Sequence, residues 1–420
     1  MTQAQFDLEQ AWAGNVPSRW RWSRNKELLA ESLSVSPEGT EELLSVSHLT
    51  GITPRSEKTV TMTAAESLEG YRLVEAGDLV INTMWAWMGA LGVSKQAGIV
   101  SPAYGVYRPR PNAAFCPGFY DYLYRSTPYV MEMTRLSRGI WSSRLRIYPD
   151  VFLSMAIPVP PLEEQRAIAD YLDRETARLD TLIEEQQRLI EMLRERRQDL
   201  IRDAVLGAIN PFSPPPDVAF TAIGYHFSVT LGKMLDGSKE TRAGDLMLPY
   251  IRAGNIQDSG LRLSDVKQMP YSATEAVSLN LLKGDLLVVE GGAVGTNVVV
   301  DREMPGWSFQ KTVNRLRPLN NWSSSWLGYV LRTYRDVGVI DIVCNKSTIP
   351  HLTAEKLRAM RIPVVQPQEQ RRVAAMLDQE STKIDRLIAE SDRFIELSRE
   401  RRSALITAAV TGQIDVHEVA

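Results

Sequence analysis

The densest set of side chains that could bind a charged ligand is a basic run between residues 135 and 146. The run has no acidic residue, and its candidate ligand-binding side chains are four arginines, one tryptophan and the adjacent serines 142 and 143: Arg135, Arg138, Arg144, Arg146, Trp141, Ser142 and Ser143. An arginine can bind a phosphate or read guanine through a bidentate contact, and small hydroxyl side chains complete such loops. The run therefore predicts a nucleic-acid-binding loop, with an ordinary charged surface as the alternative.

Two other segments carry weaker forms of this pattern. Near the start of the chain, Arg19 and Arg21 alternate with Trp20 and Trp22. Basic and aromatic side chains together can bind nucleic acid, but tryptophans at this spacing are also typical of a core, and without further observations the core interpretation is favoured. In the second half of the chain, the corresponding candidates are Asn345, Lys346 and Ser347.

The sequence lacks the common motifs of enzymes. The glycine-rich stretch at residues 291–295 has no lysine to contact a nucleotide phosphate, so it predicts a turn or bulge in a sheet. The two cysteines and four histidines are far apart, without the spacing of metal ligands. We therefore expect a binding protein without catalytic residues, metal site or cofactor of its own.

Composition sets broad limits on the class of protein. With 420 residues, 44% hydrophobic and 24% charged, the chain is expected to form two to four globular domains. No apolar run is long enough to cross a bilayer and the first residues do not resemble a signal peptide, so we expect a cytoplasmic protein with no membrane partner. The net charge of −3 argues weakly against nucleic-acid binding, but residues 71–150 carry nine basic and five acidic side chains.

A repeated segment organises the chain. Residues 157–209 align with residues 362–414 at an offset of 205 without a gap, and 27 of the 53 aligned positions are identical. The sequences between the repeats differ, although both contain short apolar runs bounded by turn residues, such as those after Gly77-Asp78 and Gly284-Asp285. The chain therefore contains an internal duplication with a constant and a variable part in each half.

Each repeat predicts one helix of about 44 residues, beginning near Glu163 or Pro367 and ending at Gly207 or Gly412. Apolar residues recur along both helices at the three- and four-residue spacing of a coiled coil. The predicted seam consists of Leu172, Leu179, Ile183, Ile190, Leu193, Leu200, Leu377, Ile384, Ile388, Ile395 and Leu405. We expect the helices to pack antiparallel, with a variable domain at each end and pseudo-two-fold symmetry.

These patterns predict an α+β fold with two mixed α/β variable domains joined by the two long helices. The predicted domains are a first variable domain, a first helical segment, a proline-rich linker, a second variable domain, a second helical segment and a tail, with boundaries at residues 1–156, 157–209, 210–216, 217–361, 362–414 and 415–420.

This arrangement resembles the specificity subunit of type I restriction-modification enzymes. The resemblance rests on the Ile-Pro-Val and Glu-Gln-Arg motifs that begin both repeats, at Ile157 and Glu164 and again at Ile362 and Glu369, and it covers essentially the whole chain. It implies that each variable domain is a target-recognition domain for one half of a bipartite DNA site. It also implies that the two helices set the unspecified gap, in a non-catalytic subunit that serves DNA methylation and phage defence.

The resemblance further implies specific partners. These are double-stranded DNA, two adenine methyltransferase subunits that bind S-adenosylmethionine, and restriction subunits that use ATP and Mg²⁺. Two other classes stay open from the residues alone: a coiled-coil scaffold that joins two protein-binding domains, and a fused enzyme that itself cuts or methylates DNA.

Overall fold

The computed structural model describes residues 11–57, 67–139, 145–207, 209–213, 215–234, 244–344 and 350–416. Two helices are far longer than the others. The helices are α1 Asn25–Leu28, α2 Pro117–Arg125, α3 Thr127–Leu136, α4 Pro149–Ser154, α5 Leu162–Val205, α6 Ala273–Ser278, α7 Ser324–Asp336, α8 Val339–Cys344, α9 Ala354–Ala359 and α10 Pro367–Val410. Helices α5 and α10 each have 44 residues, as the repeat predicts.

The strands are short and are distributed over both variable segments. They are β1 Arg21–Arg24, β2 Leu29–Glu31, β3 Leu44–Ser47, β4 Gly51–Pro54, β5 Arg72–Val74, β6 Leu79–Ile81, β7 Leu91–Val93, β8 Gly98–Val100, β9 Gly105–Pro109, β10 Ala156–Val159, β11 Phe220–Ala222, β12 Phe227–Leu231, β13 Leu246–Ile251, β14 Ile256–Gln257, β15 Gly260–Leu261, β16 Lys267–Tyr271, β17 Leu286–Val289, β18 Asn297–Val299, β19 Ser308–Phe309, β20 Val313–Pro318 and β21 Arg361–Pro363. The short strands predicted after both Gly-Asp pairs are confirmed as β6 and β17. The α+β class is confirmed as well.

The chain divides into two compact units. The first contains residues 1–187 and 392–420, and the second contains residues 188–391. Each unit therefore combines one variable domain with the start of one long helix and the end of the other. Each long helix thus belongs to both units, with its start in one unit and its end in the other.

The two units share one sheet topology. In the first unit, a four-stranded sheet has the order β2-β9-β6-β7, and β1 pairs with β10 just before α5. In the second unit, the order is β12-β20-β17-β18, and β11 pairs with β21 just before α10. The strands of this sheet and of the pair before each long helix correspond one to one along the chain, which confirms that the variable segments are related folds despite their different sequences.

The outer parts of the two domains differ. The first domain adds the antiparallel pairs β3-β4 and β5-β8. The second domain adds a three-stranded sheet of order β16-β13-β19 and the small hairpin β14-β15. The common sheet is therefore the shared scaffold, and the additions distinguish the two domains.

In each unit, the start of one long helix packs against the end of the other. Leu172 of α5 shares the first core with Ala409 and Val410 of α10. Ile201 and Val205 of α5 share the second core with Leu377 of α10. The two helices therefore run antiparallel within each unit, as predicted.

One ion pair between the helices occurs in both units at equivalent positions. Arg402 Nε lies 3.0 Å from Asp180 Oδ1 in the first unit, and Arg197 Nη1 lies 2.6 Å from Asp385 Oδ1 in the second. Asp180 and Asp385 differ by the repeat offset of 205, and so do Arg197 and Arg402. The same contact thus fixes the same helical register twice, with the roles of the helices reversed.

Burial along the helices follows most of the predicted seam. The buried seam residues are Leu172, Leu179, Ile183, Ile190, Leu377, Ile384 and Ile395. Leu193, Leu200, Ile388 and Leu405 are half-buried. Ile201 is buried beside Leu200 at the end of α5, so the apolar stripe is wider there than a strict coiled-coil seam.

Candidate nucleic-acid interface

Both Gly-Asp pairs build the same internal anchor in the variable domains. Arg108 donates to both carboxylate oxygens of Asp78 at 3.1 and 3.0 Å, and Arg317 donates to both oxygens of Asp285 at 2.7 Å. The backbone N–H groups of Glu75 and Leu282 donate to the same carboxylates at 2.8 Å. These aspartates are buried, so the Gly-Asp pairs hold the scaffold of each domain and do not face a ligand.

We expect Asp285→Ala to lower the free energy of unfolding of the second unit by about 3 kcal/mol, because it leaves the half-buried Arg317 guanidinium without its main acceptor. Urea unfolding followed by tryptophan fluorescence would measure the change. Asp265→Ala is the matched control, since its ion pair with Arg252 is exposed and we expect a loss of about 0.5 kcal/mol. Equal losses of unfolding free energy in the two variants would contradict a stabilising role for the buried Asp285–Arg317 pair.

The glutamine of each Glu-Gln-Arg motif joins the long helix to its variable domain. Gln165 is fully buried, accepts a hydrogen bond from Cys116 N at 2.8 Å and donates to Ala114 O at 3.0 Å. Gln370 is also fully buried and accepts from Ser323 N at 2.9 Å. The shared motif therefore has a structural explanation, because it holds each variable domain on the start of its long helix.

A tyrosine–aspartate pair makes a second connection at the same place in both units. Tyr122 donates to Asp173 Oδ1 at 2.7 Å, and Tyr329 donates to Asp378 Oδ1 at 2.6 Å. Burial raises the pKa of Tyr122 to about 12 and also raises that of Tyr329, so both hydroxyl groups stay protonated donors at neutral pH. Each domain is thus held on its helix by two polar contacts that match across the duplication.

The basic run begins at the end of α3 on the surface of the first domain. Arg138 and Arg146 form an antiparallel bridge, in which each backbone N–H donates to the other carbonyl at 2.9 Å, and both side chains are exposed. Arg135 is also exposed but forms a bidentate pair with Glu132 at 2.6 and 2.7 Å. The candidates Trp141, Ser142, Ser143 and Arg144 lie outside the described residues.

The weaker candidates are placed differently. Arg19 forms an ion pair with Glu164 of the Glu-Gln-Arg motif at 2.6 Å, so its guanidinium already has a structural acceptor. Arg21 lies exposed on β1, whereas Trp20 between them is buried in the first core, in agreement with the core interpretation of the tryptophans. Asn345, Lys346 and Ser347 fall outside the part of the chain that is described.

Sequence reasoning missed an exposed apolar loop at residues 82–90 of the first domain, between β6 and β7. Trp85 is 50% exposed, and Met84 and Met88 are each 36% exposed. Ile147 N, next to Arg146, donates to Thr83 O at 3.3 Å, and Thr134 Oγ1, next to Arg135, donates to Trp87 O at 3.0 Å. The only available signal was the unusual pairing of tryptophan and methionine in a turn region, which by itself is also typical of a core.

The second domain has a loop at the same position, between β17 and β18. Leu352 N donates to Glu290 O at 2.8 Å, and Gly291 forms a bridge with His351. Ile147 and Leu352 differ by 205 positions, so the two loops are attached in the same way. The glycine-rich stretch at residues 291–295 is a turn between two strands, as predicted, and it contains none of the large apolar side chains of the first loop.

The described residues also bear on metal, thiol and membrane sites. No group of three or more His, Cys, Asp or Glu side chains there is placed to hold a metal ion. Cys116 and Cys344 are free thiols. Among the described helices, none has the length and apolar character needed to cross a membrane.

Part of the second unit is similar to known proteins. Residues 223–391 match the model of the type I restriction modification DNA specificity domain. The EcoKI specificity subunit of Escherichia coli (strain K12) is 26% identical over 182 residues, covering 42% of this chain and 38% of that protein. The StySPI specificity subunit of Salmonella potsdam is 23% identical over 185 residues, covering 43% and 39% respectively.

Solved structures extend the likeness to the whole fold. A chain from work on complex assembly and conformational transition of the type I restriction-modification system superposes with a TM-score of 0.73 at 18% identity, over 95% of this chain and all of that one. The HsdS subunit of Thermoanaerobacter tengcongensis gives 0.60 at 17% identity, over 95% and 98%.

The sequence matches cover less than two fifths of each curated relative, whereas the fold matches cover nearly the whole chain. The family model lies within the second unit, and the first unit repeats its sheet order and its attachment to the helices. Residues 223–391 thus match the type I restriction modification DNA specificity domain, and the chain as a whole has the fold of the solved type I restriction-modification structures.

Proposed function

We propose that the chain is the DNA-recognition subunit of a type I restriction-modification complex and that each variable domain reads one half of an asymmetric bipartite target. The observation that carries this proposal is the pairing of a constant frame with two different surfaces. The scaffold sheets, glutamine contacts and tyrosine–aspartate contacts match in both domains, while the loops beside them differ. Two domains that share a scaffold but differ in their surface loops suit a DNA target with two different half-sites.

The exposed arginine pair supports DNA as the ligand of the first domain. Residues directly opposite each other in an antiparallel bridge project to the same face, where like charges destabilise the pair. Arg138 and Arg146 stand in this relation. A DNA phosphate bound between the two guanidinium groups would relieve their repulsion, and such contacts position a protein on the duplex.

The long helices would set the distance between the half-sites. An α-helix rises 1.5 Å per residue, so 44 residues correspond to about 66 Å of helix. The duplicated Asp–Arg pair fixes the register of the two helices, and the buried glutamines fix each domain to its helix. A spacer set in this way depends on helix length and not on the bases between the half-sites.

The helices also offer surfaces for partner subunits. Leu189 and Met192 of α5 are exposed although they are large and apolar, and so are their counterparts Phe394 and Leu397 of α10, at the offset of 205. Exposed apolar patches of this kind are typical of protein–protein interfaces. Two equivalent surfaces suit two copies of one methyltransferase subunit, and restriction subunits complete the proposed complex.

In this scheme the chain recognises DNA and the partners perform the chemistry. S-adenosylmethionine would be bound by the methyltransferase subunits, and ATP with Mg²⁺ by the restriction subunits. The curated relatives are themselves specificity subunits, which supports a non-catalytic role.

The proposal predicts an asymmetric methylation site. When the chain is assembled with its cognate methyltransferase subunits, sequencing of methylated adenines in a random duplex library is expected to show two different half-sites separated by unspecified bases. The chain without methyltransferase subunits is the control and is expected to produce no methylation. A palindromic site, or methylation that does not depend on this chain, would contradict the proposal.

A further inference from the structure

The loop at residues 82–90, named here the Trp85 loop, exposes apolar side chains that a solvated turn does not need. Trp85 and Trp87 stack with their ring centroids 6.4 Å apart and an interplanar angle of 15°, and Met84 and Met88 lie on the same short loop. The loop contains no charged residue. A compact exposed set of large apolar groups indicates a contact surface.

The backbone of the Trp85 loop is held rigidly. Asn82 N donates to Ala90 O at 3.0 Å, Trp85 N donates to Asn82 O at 2.9 Å, and Gly89 turns the chain with a φ of 85°. Ala86, within the loop, is fully buried. Because the exposed side chains are presented by a pre-organised backbone, binding would cost little ordering of the loop.

Positive charge flanks this apolar surface. Ile147 is hydrogen-bonded to the loop, and its chain neighbour Arg146 is exposed. Arg138 lies opposite Arg146 in the antiparallel bridge. An apolar centre beside arginines complements a duplex, whose phosphates surround grooves that contain methyl groups and base edges.

We infer that the Trp85 loop is a specificity element of the first domain, in which Met84 and Trp85 contact bases while Arg138 and Arg146 bind the adjacent phosphates. This inference rests on the proposed function and names the residues that carry it out. In the second domain, glycines occupy the corresponding loop and Glu290 and His351 lie beside it. The same position therefore offers apolar contacts in one domain and polar groups in the other, so the two domains read different bases.

The test uses the complete complex of this chain with its methyltransferase subunits. Methylation rates are measured on duplexes in which each base of the mapped target is changed in turn. We expect Trp85→Ala to slow methylation of the cognate target roughly 5- to 100-fold and to weaken base preference at one or more positions of a single half-site. Trp85→Phe is expected to keep most of the preference, because it keeps an aromatic group.

Two controls separate base contact from other effects. Leu33→Ala removes another exposed apolar side chain of the first domain, 68% exposed, and is expected to leave rates and preferences unchanged. Arg146→Ala is expected to weaken binding to all sequences alike and to reduce its salt dependence, as for a phosphate contact. Thermal unfolding of each variant verifies the fold.

Two results would overturn the inference. One is a Trp85→Ala complex with unchanged rates and base preferences. The other is a variant that no longer binds the methyltransferase subunits, which would make the loop a protein-docking surface. Failure of the proposed function is a separate outcome, since it would be visible in the unmodified complex as the absence of two distinct half-sites.

Discussion

Shortening both long helices by one heptad is expected to reduce the spacer of the methylation target by one to three base pairs and to leave both half-site sequences unchanged. Removal of residues 181–187 and 386–392 shortens each helix by about 10 Å. At about 3.4 Å per base pair, three base pairs is the upper limit. Each base pair also turns the duplex by about 35°, a rotation that the shortened protein does not match, so the expected change extends from one base pair up to this limit.

This deletion leaves the contacts between the helices and the domains intact. It retains both interhelical ion pairs, Asp180 with Arg402 and Arg197 with Asp385. It also retains heptad phase, because Leu189 and Ile190 move into the positions of Leu182 and Ile183. The glutamine contacts lie outside the deleted segments.

The matched control exchanges the two deleted segments instead of removing them. Placing the sequence of residues 386–392 at 181–187, and the reverse, changes composition without changing length, so the spacer is expected to stay the same. Sequencing of methylated adenines in the assembled complex measures all three spacers. An unchanged spacer after the double deletion, with methylation intact, would refute the idea that helix length sets the gap.

The architecture was predictable from the sequence because the relevant signals are local or repeated. The gapless repeat identified both helices to within one residue at Glu163 and at Pro367, and turn residues bounded the strands β6 and β17. Hydrophobic spacing also identified most of the buried seam. Each of these patterns can be recognised within a few residues of the chain.

The contacts that assemble the domains were not predictable because they join distant residues. Gln165 binds backbone groups at Ala114 and Cys116, about 50 residues away, and Arg19 binds Glu164 across 145 residues. Arg19 was a DNA-binding candidate on its sequence alone, and the structure gives it an acceptor within the protein.

Surface exposure was equally invisible in the sequence. A Met-Trp-Ala-Trp-Met segment has the composition of a core, and only the fold shows that Trp85 projects while Ala86 between the tryptophans is buried. The two Gly-Asp pairs are the opposite case, since they were recognisable in the sequence but their aspartates are buried in the structure. The structure assigns them to internal anchors and not to the recognition surface.

Replacing the second variable domain by a copy of the first is expected to convert the asymmetric target into an inverted repeat of one half-site. Residues 12–156 would replace residues 217–361, which keeps the offset of 205 at both junctions. The copied domain would meet the same polar contacts and the same core leucine on the second helix, because Gln370, Asp378 and Leu377 are identical to Gln165, Asp173 and Leu172. We therefore expect it to seat as the original domain does.

The repeat is expected to be inverted because the two helices run antiparallel in each unit, with the same ion pair formed in reverse roles. Mapping of methylated adenines would show the change, and the reciprocal chain, with residues 217–361 copied into 12–156, is the matched partner and is expected to give an inverted repeat of the other half-site. A direct repeat would contradict the antiparallel frame. Retention of the original asymmetric target by a folded, assembled chain would show that specificity does not reside in the variable domains.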